Sequence, residues 1–371
     1  MSERLSRLRA RTAEAGLDGF VVGAPVEDTF HTHGANRRYL SGFTGSVGWL
    51  LIALDQAFIA VDFRYVEQAE REAPEFTLFR ANGGIEKWFA PLLGEANLSG
   101  KRIGFEPAGT TVGTYQAMQK AVESLPSAER PQLLAAPPFV EELRAIKEPA
   151  EIAALQRAVD VGDQALAAVA QRIEPGWTEK NVAWEIEKHA REHGAAGMSF
   201  ETIVAAGPWG AMPHAQPRDY AIQAGEPVVI DMGVRVDGYC SDLTRTIVAG
   251  EPDAKFASVY DIVLTAQLTA EEMVQAGMSG HEAHMLAHNV IAEAGYGENF
   301  GHGLGHGVGL LVHEAPRLAK SSKDEMKDGM VATIEPGIYI SGWGGVRIED
   351  MVVFENGKAR VMSQAPKVET R

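Results

Sequence analysis

The sequence predicts two domains of different class, an α/β domain over residues 1–138 and an α+β domain over residues 139–371. Three observations carry this. At 371 residues the chain exceeds what a single hydrophobic core usually organises. Its first part alternates helical patterns with short β-rich runs at 20–23, 48–53, 58–61 and 102–105, the pattern of an α/β domain. Its second part groups helical patterns at 151–172, 178–193, 254–276 and 281–294 between blocks of strands, which favours α+β. Pro137 and Pro138 interrupt the periodicity between the two parts and read as the linker. The charged segment after them, EELRAIKEPAEIAALQRAV, has helical apolar spacing. No internal repeat is visible.

Composition narrows the functional class. With 45% apolar and 23% charged residues the chain is an ordinary globular protein, neither disordered nor fibrous. A formal charge of -16 repels polyphosphate, and no basic run offsets it, so nucleic acid and anionic membranes are not expected partners. The single cysteine, Cys240, excludes an intrachain disulfide framework and suits a reducing compartment. The opening residues alternate charged and apolar side chains at helical spacing without the apolar core of a secretory signal. No stretch approaches the roughly 18 apolar residues of a membrane span. A cytoplasmic location is therefore the expectation.

The segment PVVIDMGVRVDGYCSDLTRTIVAG has two β-rich arms around Asp237-Gly238, a strong two-residue hairpin turn signal. If those two residues form the centre of the turn, Asp231 lies opposite Thr244 and Asp242 opposite Gly233. Period-two alternation then puts both aspartates on one face as diagonal neighbours. An isolated aspartate more often caps a turn or faces solvent, but aspartate is disfavoured inside strands, and two facing carboxylates call for positive charge between them. Near the C-terminus, MVATIEPGIYISGWGGVRIEDMVVF offers a second hairpin with Glu335 in one apolar arm and Glu349 in the other. Arg347 shares a face with Glu349.

Between the hairpins, GHGLGHGVGLLVHEAP carries His302, His306 and His313 among closely spaced glycines. Such a stretch is a poor helix and a good place for backbone to approach closely. One such histidine alone would be an unremarkable structural residue, whereas three beside that glycine density point to a site. Four carboxylates and one imidazole would neutralise two divalent cations and leave positions for water, the arrangement used by two-metal hydrolases. Oxygen-rich ligation with one nitrogen suits manganese, with cobalt, zinc or iron(II) as alternatives.

With these residues in place, the sequence resembles the pita-bread metallopeptidases, the group of methionine aminopeptidase, aminopeptidase P and prolidase. The resemblance implies a creatinase-like domain over 1–138 and a pita-bread catalytic domain over 139–371. It is strongest over 142–354 and weaker before that, where RRYLSGFTGSVGWLLI and VDFRYVEQAE look like stretches of aminopeptidase P. It places the family's five metal ligands on Asp231, Asp242, His306, Glu335 and Glu349. It assigns His214, in AMPHAQP, to the substrate or the developing tetrahedral centre. His302 and His313 match two further histidines of the proline-specific branch, and Arg347 its carboxylate-orienting arginine. Together these imply a dinuclear-metal exopeptidase that cleaves between an N-terminal residue and a following proline, an Xaa-Pro aminopeptidase. An Xaa-Pro dipeptidase, or prolidase, is the alternative, and a noncatalytic binding module of the same fold a remote one. Creatinase-like chemistry, which dispenses with the metals, is disfavoured by the complete ligand set.

The implied chemistry is attack of metal-activated water on the carbonyl before proline, with Glu335 relaying the proton and His214, His302 and His313 stabilising the oxyanion or protonating the leaving nitrogen. The expected partners are peptides with proline at the second position, together with a second copy of the chain in a homodimer or other homo-oligomer. Several other residues invite a function and read more simply. His189, Glu192 and His193 fit H-x-x-E-H but lie on a charged helical face with no third ligand. His281, His284 and His288 sit on a core-facing helix with a polar edge. His31 and His33 fall in a loop of no clear pattern, Arg37, Arg38 and Tyr39 read as surface residues, and Cys240 has no partner base.

Overall fold

The computed structural model describes residues 3–23 and 34–367; His31 and His33 lie outside this set. The chain divides into two compact units, Met1–Arg144 and Ala145–Arg371.

The first unit contains, in order, α1 (Glu3–Glu14), β1 (Gly19–Val22), α2 (Ala35–Ser41), β2 (Trp49–Ala53), β3 (Ala57–Val61), α3 (Val66–Glu72), β4 (Thr77–Arg80), α4 (Ile85–Glu95), β5 (Arg102–Phe105), α5 (Val112–Glu123), β6 (Gln132–Ala135) and α6 (Phe139–Ala145). Its strands form one mixed sheet in the order β4-β3-β2-β1-β5-β6. The central strands are unbroken apolar runs, such as WLLIA and AFIAV, and every residue of both is buried, as a sheet covered on both faces requires. β4 and β6 are the edges, half-exposed and of mixed polarity, which is why the apolar pattern passes over them. Phe89, Leu93 and Met118 of α4 and α5 complete a core in which Trp49 and Trp88 meet edge to face at 5.6 Å.

Arg37 and Tyr39 are not surface residues. They are 3% and 2% exposed, because α2 is covered on most of its circumference and the Arg37 guanidinium is taken up by the carbonyls of Gly45 and Gly48.

The segment after the proline pair is not one helix. It breaks after α6, because Pro149 has no N–H and disfavours helical geometry in the residue before it. Pro149 instead opens α7 (Pro149–Ala170), with Glu148 and Glu151 forming a reciprocal cap.

The second unit continues with α8 (Glu179–Glu192), β7 (Gly197–Met198), β8 (Ile203–Ala206), β9 (Pro227–Met232), β10 (Val234–Val236), β11 (Tyr239–Cys240), β12 (Leu243–Val248), α9 (Ala254–Met273) and α10 (Gly280–Glu293). It ends with β13 (Gly305–Gly307), β14 (Glu314–Leu318), β15 (Val331–Ile334), β16 (Gly337–Ile340), β17 (Gly344–Arg347), β18 (Asp350–Glu355) and β19 (Lys358–Val361). The main sheets run β12-β9-β8 and β14-β13-β15-β18-β19. One core joins α7 and α8 to β8 and β9, and another joins α9 and α10 to β15 and β18. This is an α+β arrangement, and it leaves two long hairpins to carry the acidic residues.

The first hairpin turns at Asp237 and Gly238, both with positive φ (51° and 84°), the geometry of a type I′ turn. Asp231 pairs with Thr244, and the β10–β11 pairing of Arg235 with Cys240 continues the same register, which sets Asp242 across from Gly233. Gly233 is obligatory there, since a Cβ would fall 1.9 Å from the Ser241 carbonyl oxygen. In the second hairpin Ile334 pairs with Asp350 and Gly337 with Arg347, again in one register, so Glu335 stands across from Glu349.

In the first unit, buried Glu106 and Glu141 both accept hydrogen bonds from the Asn36 amide, at 2.6 and 2.8 Å. Burial, then the neighbouring Glu141 charge, pushes the Glu106 carboxyl up to about 8. The folded state therefore keeps a proton that the unfolded chain releases near the ordinary value of 4.5. Glu106 contributes its full stability below that ordinary value, and the contribution is lost as pH rises to about 8. Thermal unfolding of Glu106→Gln and wild type should accordingly show a stability difference that moves in favour of the variant between pH 5 and pH 8 and then levels off. A difference independent of pH would contradict this assignment.

Candidate active site

His306 stands at the centre of the cluster. The glycines on either side of it, Gly305 and Gly307, allow β13 to approach its neighbours where a Cβ would come within 2.0 Å of the Thr333 oxygen and 2.1 Å of the Ala315 oxygen. The His306 Nδ1 lies 3.1 Å from the Gly307 carbonyl, which can only accept, so Nδ1 carries the proton and Nε2 presents its lone pair. That Nε2 is 3.6 Å from Asp242 Oδ2 and 3.4 Å from Glu335 Oε1. Burial, followed by the nearby His313, lowers the His306 pKa to about 4, so the ring is neutral at ordinary pH and these contacts are not ion pairs. Among the described residues, Asp242, His306 and Glu349 form the one group of three potential ligands whose donor atoms all lie within 4.8 Å of one another.

The remaining carboxylates close around this group. Glu349 is 1% exposed and accepts from Thr244 Oγ1 at 2.7 Å, and its backbone N–H donates to the Thr244 carbonyl at 3.0 Å. Glu335 accepts from Thr333 Oγ1 at 3.2 Å. Asp231 accepts from the Arg347 guanidinium at 2.6 Å through Oδ2, while its Oδ1 is buried without a hydrogen-bond partner. Burial, then repulsion from the neighbouring carboxylates, raises the pKa of Asp242 and of Glu349 well above the carboxylate range. Burial pushes Glu335 up to about 8 although Arg347 opposes it.

The donor chemistry fits divalent cations: four acidic groups that repel one another, a neutral imidazole nitrogen aimed among them, and an orphaned carboxylate oxygen. Asp231, Asp242, His306, Glu335 and Glu349 are the residues available to hold them.

Arg347 links the cluster to His302. It is 3% exposed and donates through Nε to Thr244 Oγ1 at 3.1 Å, through Nη1 to Tyr339 Oη at 2.7 Å and through Nη2 to Asp231. Burial works against its charge, but Tyr339, Asp231 and Glu335 outweigh that effect and hold the guanidinium protonated. Tyr339, pushed up to about 12 mainly by burial, keeps its own proton and lies 2.9 Å from His302 Nε2. Because His302 Nδ1 faces the Gly303 carbonyl at 2.7 Å, it is the donor there, and Tyr339 donates to Nε2. His302 thus faces Tyr339 and not the carboxylates. The His313 ring lies 4.3 Å from the His306 ring and is exposed; burial and then Arg347 lower the His302 pKa to about 4, with a smaller contribution from the exposed His214.

Tyr339, Thr244 and Thr333 are the site residues that sequence reasoning passed over. A signal existed for each. Thr244 falls opposite Asp231 in the hairpin register, Thr333 shares the strand face of Glu335, and Tyr339 pairs with Gly345, the same-face neighbour of Arg347. Of the residues set aside, His189 and His193 stack on each other at 4.0 Å at the end of α8, and His284 is buried while His281 is exposed. Cys240 is 1% exposed, and its thiol, raised mainly by burial, packs beside the aspartate strand.

Substitution of Arg347 by Met should strand Asp231 and Tyr339 together and lower kcat or divalent-cation affinity by about 10- to 100-fold. Arg347→Lys should recover only part of this, because an ammonium cannot reproduce three separately directed contacts. Equal activity and cation affinity in wild type and Arg347→Met would contradict that role.

Comparison with known proteins is consistent along nearly the whole chain. Residues 153–356 match metallopeptidase family M24, and residues 4–146 match the creatinase/prolidase N-terminal domain. Among solved structures, an Xaa-Pro dipeptidase from Bacillus anthracis superposes with a TM-score of 0.90 at 39% identity, covering 99% of this chain and 98% of its own. The prolidase from Pyrococcus furiosus gives 0.85 at 32%, covering 97% and 100%. An X-Pro aminopeptidase from Thermotoga maritima gives 0.85 at 31%, covering 96% and 99%. The chain is therefore a member of metallopeptidase family M24, a creatinase-type N-terminal domain joined to a pita-bread catalytic domain.

Proposed function

We propose that this protein is a dinuclear-metal Xaa-Pro dipeptidase, hydrolysing the bond between an N-terminal residue and a following proline. The observation that carries this reading is the gathering of Asp242, Glu335 and Glu349 around His306, with Asp231 held beside them by Arg347 and the Arg347–Tyr339–His302 chain leading away. The expectation of an aminopeptidase preference is revised, because the likeness to an Xaa-Pro dipeptidase, at 39% identity, exceeds that to an X-Pro aminopeptidase, at 31%. The second reading, cleavage of longer Xaa-Pro peptides, keeps the support of that aminopeptidase likeness across 96% of the chain.

Two divalent cations, manganese first, would supply Lewis acidity and an acidified water when held by Asp231, Asp242, His306, Glu335 and Glu349. The chain's own groups do the rest. Glu335, fixed through Oε1 by Thr333, is placed to accept a proton and release it. Arg347 fixes the orientation of Asp231 and, through Tyr339, that of His302. His313 is exposed beside His306 and His214 is exposed on the His302 side, and they are our candidates for donors to a developing oxyanion or the imide nitrogen that leaves. Proline lacks the N–H that general peptidases bind in strand-like fashion, so a site selecting it must recognise ring shape and the free amine.

Chelator-stripped protein should be inactive, and adding manganese should restore hydrolysis, with an Xaa-Pro dipeptide cleaved faster than the matched Xaa-Pro-Yaa tripeptide. Restored activity that favours the tripeptide would move the assignment to the aminopeptidase reading. No cleavage of either peptide with any divalent metal would overturn the peptidase assignment for this chain.

A further inference from the structure

Glu349 is held from two sides. Its carboxylate faces the cluster, and by strand alternation the next residue, Asp350, projects the opposite way. There Asp350, 1% exposed, meets Arg245, which alternates in the same sense from Thr244 and is 2% exposed. Arg245 employs every donor it has. Nη1 reaches the carbonyls of Glu349 at 2.6 Å and Thr244 at 3.0 Å, Nη2 reaches Asp350 Oδ1 and the Ala365 carbonyl, each at 2.7 Å, and Nε is shared by the Ala365 and Pro366 carbonyls at 3.2 Å.

The other Asp350 oxygen accepts from Gln267 at 2.9 Å and from Lys367 Nζ at 2.8 Å. Along the same segment Ser363 Oγ accepts from the Met351 N–H at 3.0 Å, and the Gln364 N–H donates to Asp163 at 2.5 Å. Residues 363–367 are thus each held: Ser363 and Lys367 by Met351 and Asp350 of β18, the Ala365 and Pro366 carbonyls by Arg245 of β12, and Gln364 by Asp163 of α7.

We infer that Arg245, Asp350 and Lys367 act as positioning residues for Glu349, so that the segment 363–367 sets how tightly the cluster holds its cations. The physical reason is division of charge. Lys367 and Arg245 share the Asp350 carboxylate, which leaves Arg245 free to bond the Glu349 carbonyl and tie that residue to the strand bearing Asp242. Without Lys367, the buried Asp350 carboxylate keeps Gln267 as a neutral donor and Arg245 as its charged partner, and the guanidinium is drawn towards it and away from Glu349. The inference rests on the metallopeptidase reading of the site.

The test is calorimetric titration of Mn2+ into the full chain after chelator treatment, with melting temperature recorded separately without metal. Lys367→Met should weaken Mn2+ binding by about 10-fold, and Lys367→Arg, which retains the charge, should bind close to the wild-type value. The Lys367 side chain is 24% exposed, so its replacement is expected to leave the chain folded. Lys367→Gln, which replaces the charge with a shorter neutral amide, provides a second reading of the same loss. A lowered melting temperature with unchanged Mn2+ affinity in both variants would reduce the contact to ordinary stabilisation and overturn the inference. Wild-type protein that takes up no Mn2+ would instead overturn the reading of the site itself.

Discussion

Four carboxylates confined to one buried volume repel one another, and much of the second unit is explained by the need to keep them there. Two unit charges about 4 Å apart at an effective dielectric near 20 repel by roughly 4 kcal/mol, comparable to much of a domain's net stability. No flexible loop would hold such a set. The acidic residues therefore sit in or directly beside paired strands, Asp231 in β9, Asp242 just before β12, Glu335 between β15 and β16 and Glu349 between β17 and β18, where the flanking register fixes direction; Asp231 is met by a guanidinium, and Glu335 and Glu349 by hydroxyls. Among the described residues, positive charge reaches the cluster from Arg347, and its burial is tolerable because Asp231 and Tyr339 occupy its donors.

How much of this could be read in advance depended on whether the signal was local. The Asp237-Gly238 turn is local, and its positive φ angles fix a register that already placed Asp231 opposite Thr244. The glycines around His306 are local too, and the approach they permit is what the backbone uses. The long helical periods from residue 151 onward correspond to α7 to α10 within a few residues. The edge strands β4 and β6 escaped notice because a half-exposed strand has no clear apolar pattern. Burial of Arg37 also escaped, since nothing near it in sequence announces the carbonyls that receive its guanidinium. Tyr339 was hidden in another way: its importance arises from contacts with Arg347 and His302, and only the hairpin register could have revealed the first of them.

Peptide length is a separate question from hydrolysis. On the proposed reading, the cluster with the Arg347–Tyr339–His302 chain serves cleavage next to proline, a step common to dipeptides and longer peptides. Discrimination between a dipeptide and a longer chain turns on whether some group meets the proline carboxylate or leaves that end open. Relatives named for either preference share this chain's fold over almost its full length, so that choice is not made by the fold.

The common register of the two halves of each hairpin also has a meaning for sequence length. Asp231 and Asp242 share a face only while the intervening pairing is kept, as do Glu335 and Glu349. A one-residue insertion in an arm would swing a carboxylate to the opposite face of its strand, while the same insertion at the tip of the turn would leave the arms in step. The two hairpins therefore act as rulers. Within them, the register survives a change of residue, whereas it survives insertions and deletions only where the chain reverses.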